Sequence, residues 1–174
     1  MRKIKYVSCL FFLLQGLSLF SQSDTVLTEN DSATQPSFGA SLTVDYPWLI
    51  AGDQEQYQES GRAYVFRFEN QSWKQLHILS PSVSSDHLFG HAVASDGYLF
   101  IIGSPGGANT GAAYIYNLRK DSTWNTYQRI TASDGAVYDA FGISVDITYP
   151  AGFAIIGAYG DDDNGTESGS AYIF

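Results

Sequence analysis

Asp161-Asp162-Asp163-Asn164-Gly165 is the densest group of oxygen ligands in the chain, with Glu167 two residues further on. Three adjacent carboxylates cannot all face one ion from an extended strand, but a loop closed by Asn-Gly can converge two of them with backbone carbonyls around a hard cation such as calcium. Asp161, Asp163 and Glu167 are the candidate metal ligands on that reading. The alternative is a solvated turn, since Asp, Asn and Gly fill turns for conformational reasons alone. A second group, Asp86-His87 and His91, has residue types suited to zinc or acid–base work. A zinc site needs a third protein ligand that this stretch does not supply, so the group is not read as a metal or catalytic centre. Neither a Ser-His-Asp arrangement nor a Gly-x-Ser-x-Gly elbow occurs, and no enzyme activity is expected.

These residues sit in a chain that repeats itself. Phe38-Gly39, Phe89-Gly90 and Phe141-Gly142 follow one another at 51 and then 52 residues, the period of a repeated four-stranded unit. Each pair leads to an apolar run ending in glycine: Leu49 to Gly52, Phe100 to Gly103, Ala154 to Gly157. A Gly-x-Ala-Tyr strand then opens at Gly61, Gly111 and Gly169. Tyr64, Tyr114, Tyr116 and Tyr172 fall on these strands and are read as packing residues. An apolar residue stands eleven positions before each Phe-Gly, at Leu27, Ile78 and Ile130, and marks a fourth strand. Continuous apolar second strands, aromatic third strands and turn residues every ten positions or so make the chain all-β, without a helical period anywhere. Repetition at this interval suits radially packed β-propeller blades better than a sandwich, because only the former meets the same environment each time. The expected architecture is four-stranded antiparallel blades of about 51 residues: residues 38–88, 89–140 and 141–174, the last without its outer strand, in an incomplete propeller. Residues 24–37 are expected to give the outer strand and loop of a neighbouring or closing blade.

Residues 1–23 read differently. Arg2, Lys3 and Lys5 precede an apolar run from Cys9 to Leu14, and Ser21-Gln22-Ser23 offers a small-x-small cleavage site, the pattern of a cleavable bacterial export signal. The expected location is therefore secreted or at the cell surface. Loss of that segment removes the single cysteine, so disulfides and thiolate metal sites are excluded. It also leaves six basic against eighteen acidic residues, a formal charge of −12 in place of −9. Such a surface repels phosphate backbones, and nucleic acid is excluded as a partner. Asn30-Asp31-Ser32, Asn70-Gln71-Ser72 and Asn164-Gly165-Thr166 match the glycan acceptor pattern.

Phe141-Gly142-Ile143-Ser144-Val145, Ile155-Ile156-Gly157-Ala158, Asp161 to Gly165 and Gly169 to Phe174 together resemble one full FG-GAP repeat, as in integrin α-subunit heads and many secreted bacterial proteins. The resemblance implies a β-propeller that binds protein or glycan at a cell surface, and it does not imply catalysis. It also implies a calcium loop of alternating carboxylates between the Phe-Gly and Gly-Ala elements. Those intervals hold only one carboxylate each, Asp45, Asp96 and Asp146, so the integrin calcium sites do not carry over. In an up-and-down blade the loops from fourth to first strand and from second to third share one end. That end gathers Asp53, Glu55, Asp86, His87, Asp134, Asp139, Asp161, Asp162 and Asp163 as the candidate ligand-binding rim. It is also the face that the resemblance implies for ligands. Three roles stand: a non-catalytic binding module for protein or glycan, a spacer in a longer adhesin, and a propeller of a polysaccharide-active enzyme. Further blades or self-association are expected to cover the terminal blades. Calcium is the one cofactor left open, and because the strand-joining loops lack ligands, a chelator is expected to change the melting temperature little. A large loss would overturn that reading of the loops.

Overall fold

The computed structural model describes residues 26–28, 37–54, 60–106, 109–118, 124–166 and 168–174. The export signal at 1–23, the glycan acceptor Asn30, and the candidates Glu55 and Glu167 lie outside the described residues, as does most of 24–37. Among the described residues there is no helix, and none long and apolar enough to cross a membrane.

Eleven strands form three antiparallel sheets. Blade 1 is β1 (Ser41–Asp45), β2 (Trp48–Asp53), β3 (Arg62–Glu69) and β4 (Ser72–Leu79), paired in that order. Blade 2 is β5 (Ala92–Asp96), β6 (Leu99–Ser104), β7 (Ala112–Leu118) and β8 (Trp124–Ile130), likewise in order. Blade 3 is β9 (Ser144–Thr148), β10 (Phe153–Ala158) and β11 (Ser170–Ile173). The short first strands β1, β5 and β9 lie side by side, with the Thr43 and Ser95 hydroxyls bonded at 3.0 Å. Small residues there let three backbones crowd toward one axis. This is the blade arrangement of a partial β-propeller, as the repeat demands.

Each second strand is apolar on both faces because each face meets a different blade. Ile50 and Val65 of blade 1 share a core with Phe100, Ile102 and Tyr114 of blade 2. Ile101 and Ile115 of blade 2 share the next with Ala154, Ile156 and Ala158 of blade 3. The phenylalanine of each Phe-Gly pair is the wedge. Phe89 and Phe141 are fully buried between blades, and each stands edge-on to two aromatics of its own third strand. Phe38, Phe89 and Phe141 lie 5.3 Å from Tyr64, Tyr114 and Tyr172 respectively, and 6.1 to 6.3 Å from Phe66, Tyr116 and Phe174. Edge-on aromatic pairs contribute roughly 0.5–1.5 kcal/mol each beyond the area they bury.

The glycines are required by neighbouring backbone. Gly90 and Gly142 turn with φ of +89° and +97°, and their carbonyls pass over Gly52 and Gly103 of the blade before. A Cβ on Gly103 would lie 2.0 Å from the Gly142 carbonyl oxygen, closer than any non-bonded pair tolerates. On the same crossing the Phe89 and Phe141 N–H groups donate to the Ser60 and Thr110 carbonyls at 2.9 and 3.1 Å.

The fourth strand differs from the sequence expectation by one residue. Ala63 pairs with Leu79, as Ala113 pairs with Ile130, so Leu79 and not Ile78 matches Ile130. Leu79 is buried and Ile78 is 45% exposed. The β4–β5 loop is one residue shorter than the β8–β9 loop, which is why counting back from Phe-Gly lands on the wrong face. Both strand pairs carry the same bulge, after Val65 and after Ile115, so the fault lies in the loop and not in the strands. Leu27, on a segment with no assigned strand, packs against Ala51, Tyr64 and Phe66 on the outer face of blade 1.

At the opposite end the first-to-second turns are clasped across blades. Asp45 accepts the Gly97 N–H at 2.5 Å, and Asp96 accepts the Tyr149 N–H at 2.8 Å. These two carboxylates therefore hold turns together, one blade to the next, which gives a structural use to positions that lack calcium-loop partners.

The glycine contacts yield a differential prediction. Gly103→Ala meets fixed backbone of the next blade and is expected to cost about 3 kcal/mol, the upper end of overpacking penalties. In the matching place on blade 3, a Cβ on Gly157 would meet chiefly the rotatable Ser144 hydroxyl, and Gly157→Ala is expected to cost under about 1.5 kcal/mol. Urea unfolding of both variants checks the order, which equal costs would refute.

Candidate functional site

The loops named in the sequence do meet at one end of the blades. The Gly106 N–H donates to the His87 carbonyl at 3.1 Å, as does the Ser104 hydroxyl at 2.9 Å. The Gly160 N–H donates to the Asp139 carbonyl at 3.1 Å. Second-to-third loops thus pack against fourth-to-first loops of the same blade.

Within this end, the carboxylates divide by what they already hold. Asp53 is buried and accepts the Ser37 N–H at 2.7 Å. Asp86 is buried and takes the Arg129 guanidinium in a two-point grip, Nε to Oδ2 at 2.6 Å and Nη2 to Oδ1 at 2.8 Å. It also accepts the Tyr114 hydroxyl. Asp86 raises the Arg129 pKa, while burial and then the Asp86 hydrogen bond push the Tyr114 hydroxyl up. A buried carboxylate needs such paired, hydrogen-bonded partners. Asp139 is buried and caps its own loop through the Ala136 N–H at 2.6 Å. His87 is half-buried, its Nδ1 without a partner among the described residues, and His91 Nδ1 is bonded to Gln54 Oε1 across the blade boundary. Burial lowers the His91 pKa, which leaves the ring neutral at pH 7. No group of three or more His, Cys, Asp or Glu able to hold a metal ion occurs among the described residues.

Asp134, Asp139, Asp161 and Asp163 are brought together by the loops before and within blade 3. Asp161 is buried and accepts the Tyr172 hydroxyl at 2.5 Å and the Asp163 N–H at 3.0 Å. The same tyrosine oxygen lies 2.9 Å from Asp134. One hydroxyl proton serves two carboxylates, so a second proton belongs to the cluster. Asp163 is where it resides: the charge of Asp161 beside it, then burial and the neighbouring Asp134 and Asp139, raise its pKa. Hydrogen bonds from Tyr172 and Asp163 lower that of Asp161, and the Asp161 bond raises that of Tyr172. Asp134, Asp162 and Asp163 are exposed.

Two partners of these acids escape a reading from sequence. Arg129 and the tyrosine hydroxyls are bound by loop carboxylates that come from unmatched positions, Asp86 three residues before its Phe-Gly and Asp134 seven before its own. A basic residue next to the fourth-strand anchor was the available signal for Arg129. Trp73, which sequence leaves open as a sugar platform, packs on Phe68 at 5.3 Å and on the outer cluster of blade 1.

The pKa directions fix opposite pH slopes. Asp161, held below its ordinary 3.8, contributes stability that is present above pH 3.8 and lost as pH falls through its folded value. Asp163, held above 3.8, contributes most below pH 3.8 and loses that as pH rises through its folded value. Carboxyl-carbon NMR titration is expected to place Asp163 above Asp161, and Asp161→Asn to bring Asp163 down. An unmoved Asp163 would show that its neighbour's charge is not the cause.

The FG-GAP repeat family model matches residues 124–174, from the outer strand of blade 2 to the end of blade 3. No curated protein matches the chain. With that match, and with the same strand plan in the units before it, the chain is an FG-GAP repeat protein.

Proposed function

We propose that the protein is a non-catalytic binding module, secreted or displayed at a cell surface, that uses the loop end of its blades to hold a protein or glycan partner. The observation that carries this reading is the exposed acidic group Asp134, Asp162 and Asp163 on loops anchored by buried bonds to the blades. Loops held by a rigid scaffold suit recognition, and clustered negative charge favours a partner presenting basic groups or a bound cation. The export-like segment at residues 2–23 supports the location. FG-GAP repeats are typically binding modules, which supports the class.

An enzyme acting on polysaccharide needs two carboxyl groups facing each other across a groove at roughly 5–9.5 Å, free to exchange protons with substrate. Asp53, Asp86 and Asp139 are instead bonded into the framework, which favours binding over catalysis. A spacer in a longer adhesin would need no ligand at all, and the same experiment separates it.

Replacement of Asp134, Asp162 and Asp163 by Asn is expected to slow association with a basic partner captured from the native surface by on the order of tenfold at low salt, and by little at high salt. Surface plasmon resonance across ionic strengths measures it. Unchanged association, alongside loss of binding from substitutions at Tyr98 or Thr148 on the opposite end, would move the site there.

A further inference from the structure

We infer that the trailing face of blade 3 and the leading face of blade 1 are the two halves of one more blade interface, joined between two copies of this chain. The trailing faces of blades 1 and 2 bury Ile50 and Val65, and Ile101 and Ile115, at no more than 9% exposure. The matching pair on blade 3, Ile155 and Ile173, is 44% and 70% exposed. On the leading side, Ile147 of blade 3 is 7% exposed, whereas its counterpart Val44 on blade 1 is 65% exposed.

Backbone features are vacant in the same way. Gly90 and Gly142 each lie against a carbonyl of the preceding blade, but a Cβ on Gly39 would meet nothing within 4 Å, although its φ of +86° and its bond to the Gly52 carbonyl match theirs. Gly157, the receiving position on blade 3, meets no neighbouring blade. The chain thus carries both an unoccupied Phe-Gly and an unoccupied receiving glycine, which is why a second copy is the fitting occupant. In the joined pair the Phe38 N–H reaches the Ser168 carbonyl, as Phe89 reaches Ser60 and Phe141 reaches Thr110.

The outer edge matches too. Blade 3 brings three strands, and Leu27 already packs on the leading face of blade 1 against Tyr64 and Phe66, where Leu79 packs against the equivalent pair in the next interface. A face joined to a different face repeats until a ring closes. Two copies supply six blades, within the four to eight that usually close a propeller, whereas three copies supply nine. The pair is therefore a closed dimer with two such interfaces.

Sedimentation of the purified protein is expected to give twice the chain mass. Gly157→Ala and Ile173→Asp on one face, and Val44→Asp on the other, are expected to give monomers whose circular dichroism and monomer melting are unchanged, because these positions are open in the single chain. Mixing Ile173→Asp with Val44→Asp protein restores a dimer, weaker than the original, because one intact interface re-forms. A monomer at every concentration, a dimer that survives all three substitutions, a mixture that stays monomeric, or a native protein whose further repeats fill the face would each overturn the inference.

Discussion

Everything in this fold depends on how closely one blade's backbone lies over the next. The Gly90 and Gly142 carbonyl oxygens come within 2.0 Å of where a Cβ would stand on Gly52 and Gly103, so only hydrogen fits. That approach sets the blade spacing, and the spacing lets one phenylalanine fill the gap between blades. The crossing also satisfies backbone groups that would otherwise be buried without partners, since the phenylalanine N–H finds a carbonyl on the previous blade. Steric exclusion, hydrogen bonding and apolar burial coincide in two residues, so Phe-Gly is the most regular phrase in the sequence.

Because that contact is local, the repeat made the blades and nearly all strands legible without an alignment. The counting failed at Ile78, where a loop one residue shorter shifted the anchor to Leu79 while the strand and its bulge stayed fixed. Periodicity is reliable inside strands, where pairing enforces register, and unreliable across loops, where nothing does. Asp45 and Asp96 show the reverse case. They recur at the repeat interval and looked like ordinary turn residues, but each reaches a backbone N–H one blade further on. The recurrence was visible, while the partner, some fifty residues away, belongs to tertiary structure.

The acidic loops were the least legible part, because sequence counts carboxylates without saying which are already engaged. A buried carboxylate is costly unless several donors meet it, and Asp86 and Asp161 recruit a tyrosine hydroxyl each, with Arg129 added at Asp86. The same side chains that seem to offer charge to a ligand thus anchor loops to the third strand of each blade. What remains for recognition is smaller than the sequence suggests and gathers near blade 3. Framework and exposed acids share that loop cluster, so charge at Asp163 answers to Asp161 below it.

Away from the glycine crossing the interfaces diverge. Between blades 1 and 2 the turn end is filled by Trp48 edge-on to Phe100 at 6.5 Å, with the Arg67 guanidinium 5.2 Å from the Trp48 ring. Between blades 2 and 3 the paired positions are Leu99 and Ala154, and a cleft of about 430 Å³ opens there, lined by both residues and by Ile115, Ile147 and Phe153. Loss of so much side-chain volume leaves Phe141 fully buried and the Gly103 contact as close as the Gly52 contact. The blade angle is therefore held by the backbone crossing and the phenylalanine wedge, and the turn end is free to change its side chains. Divergence in the sequence collects where the glycine contact does not reach.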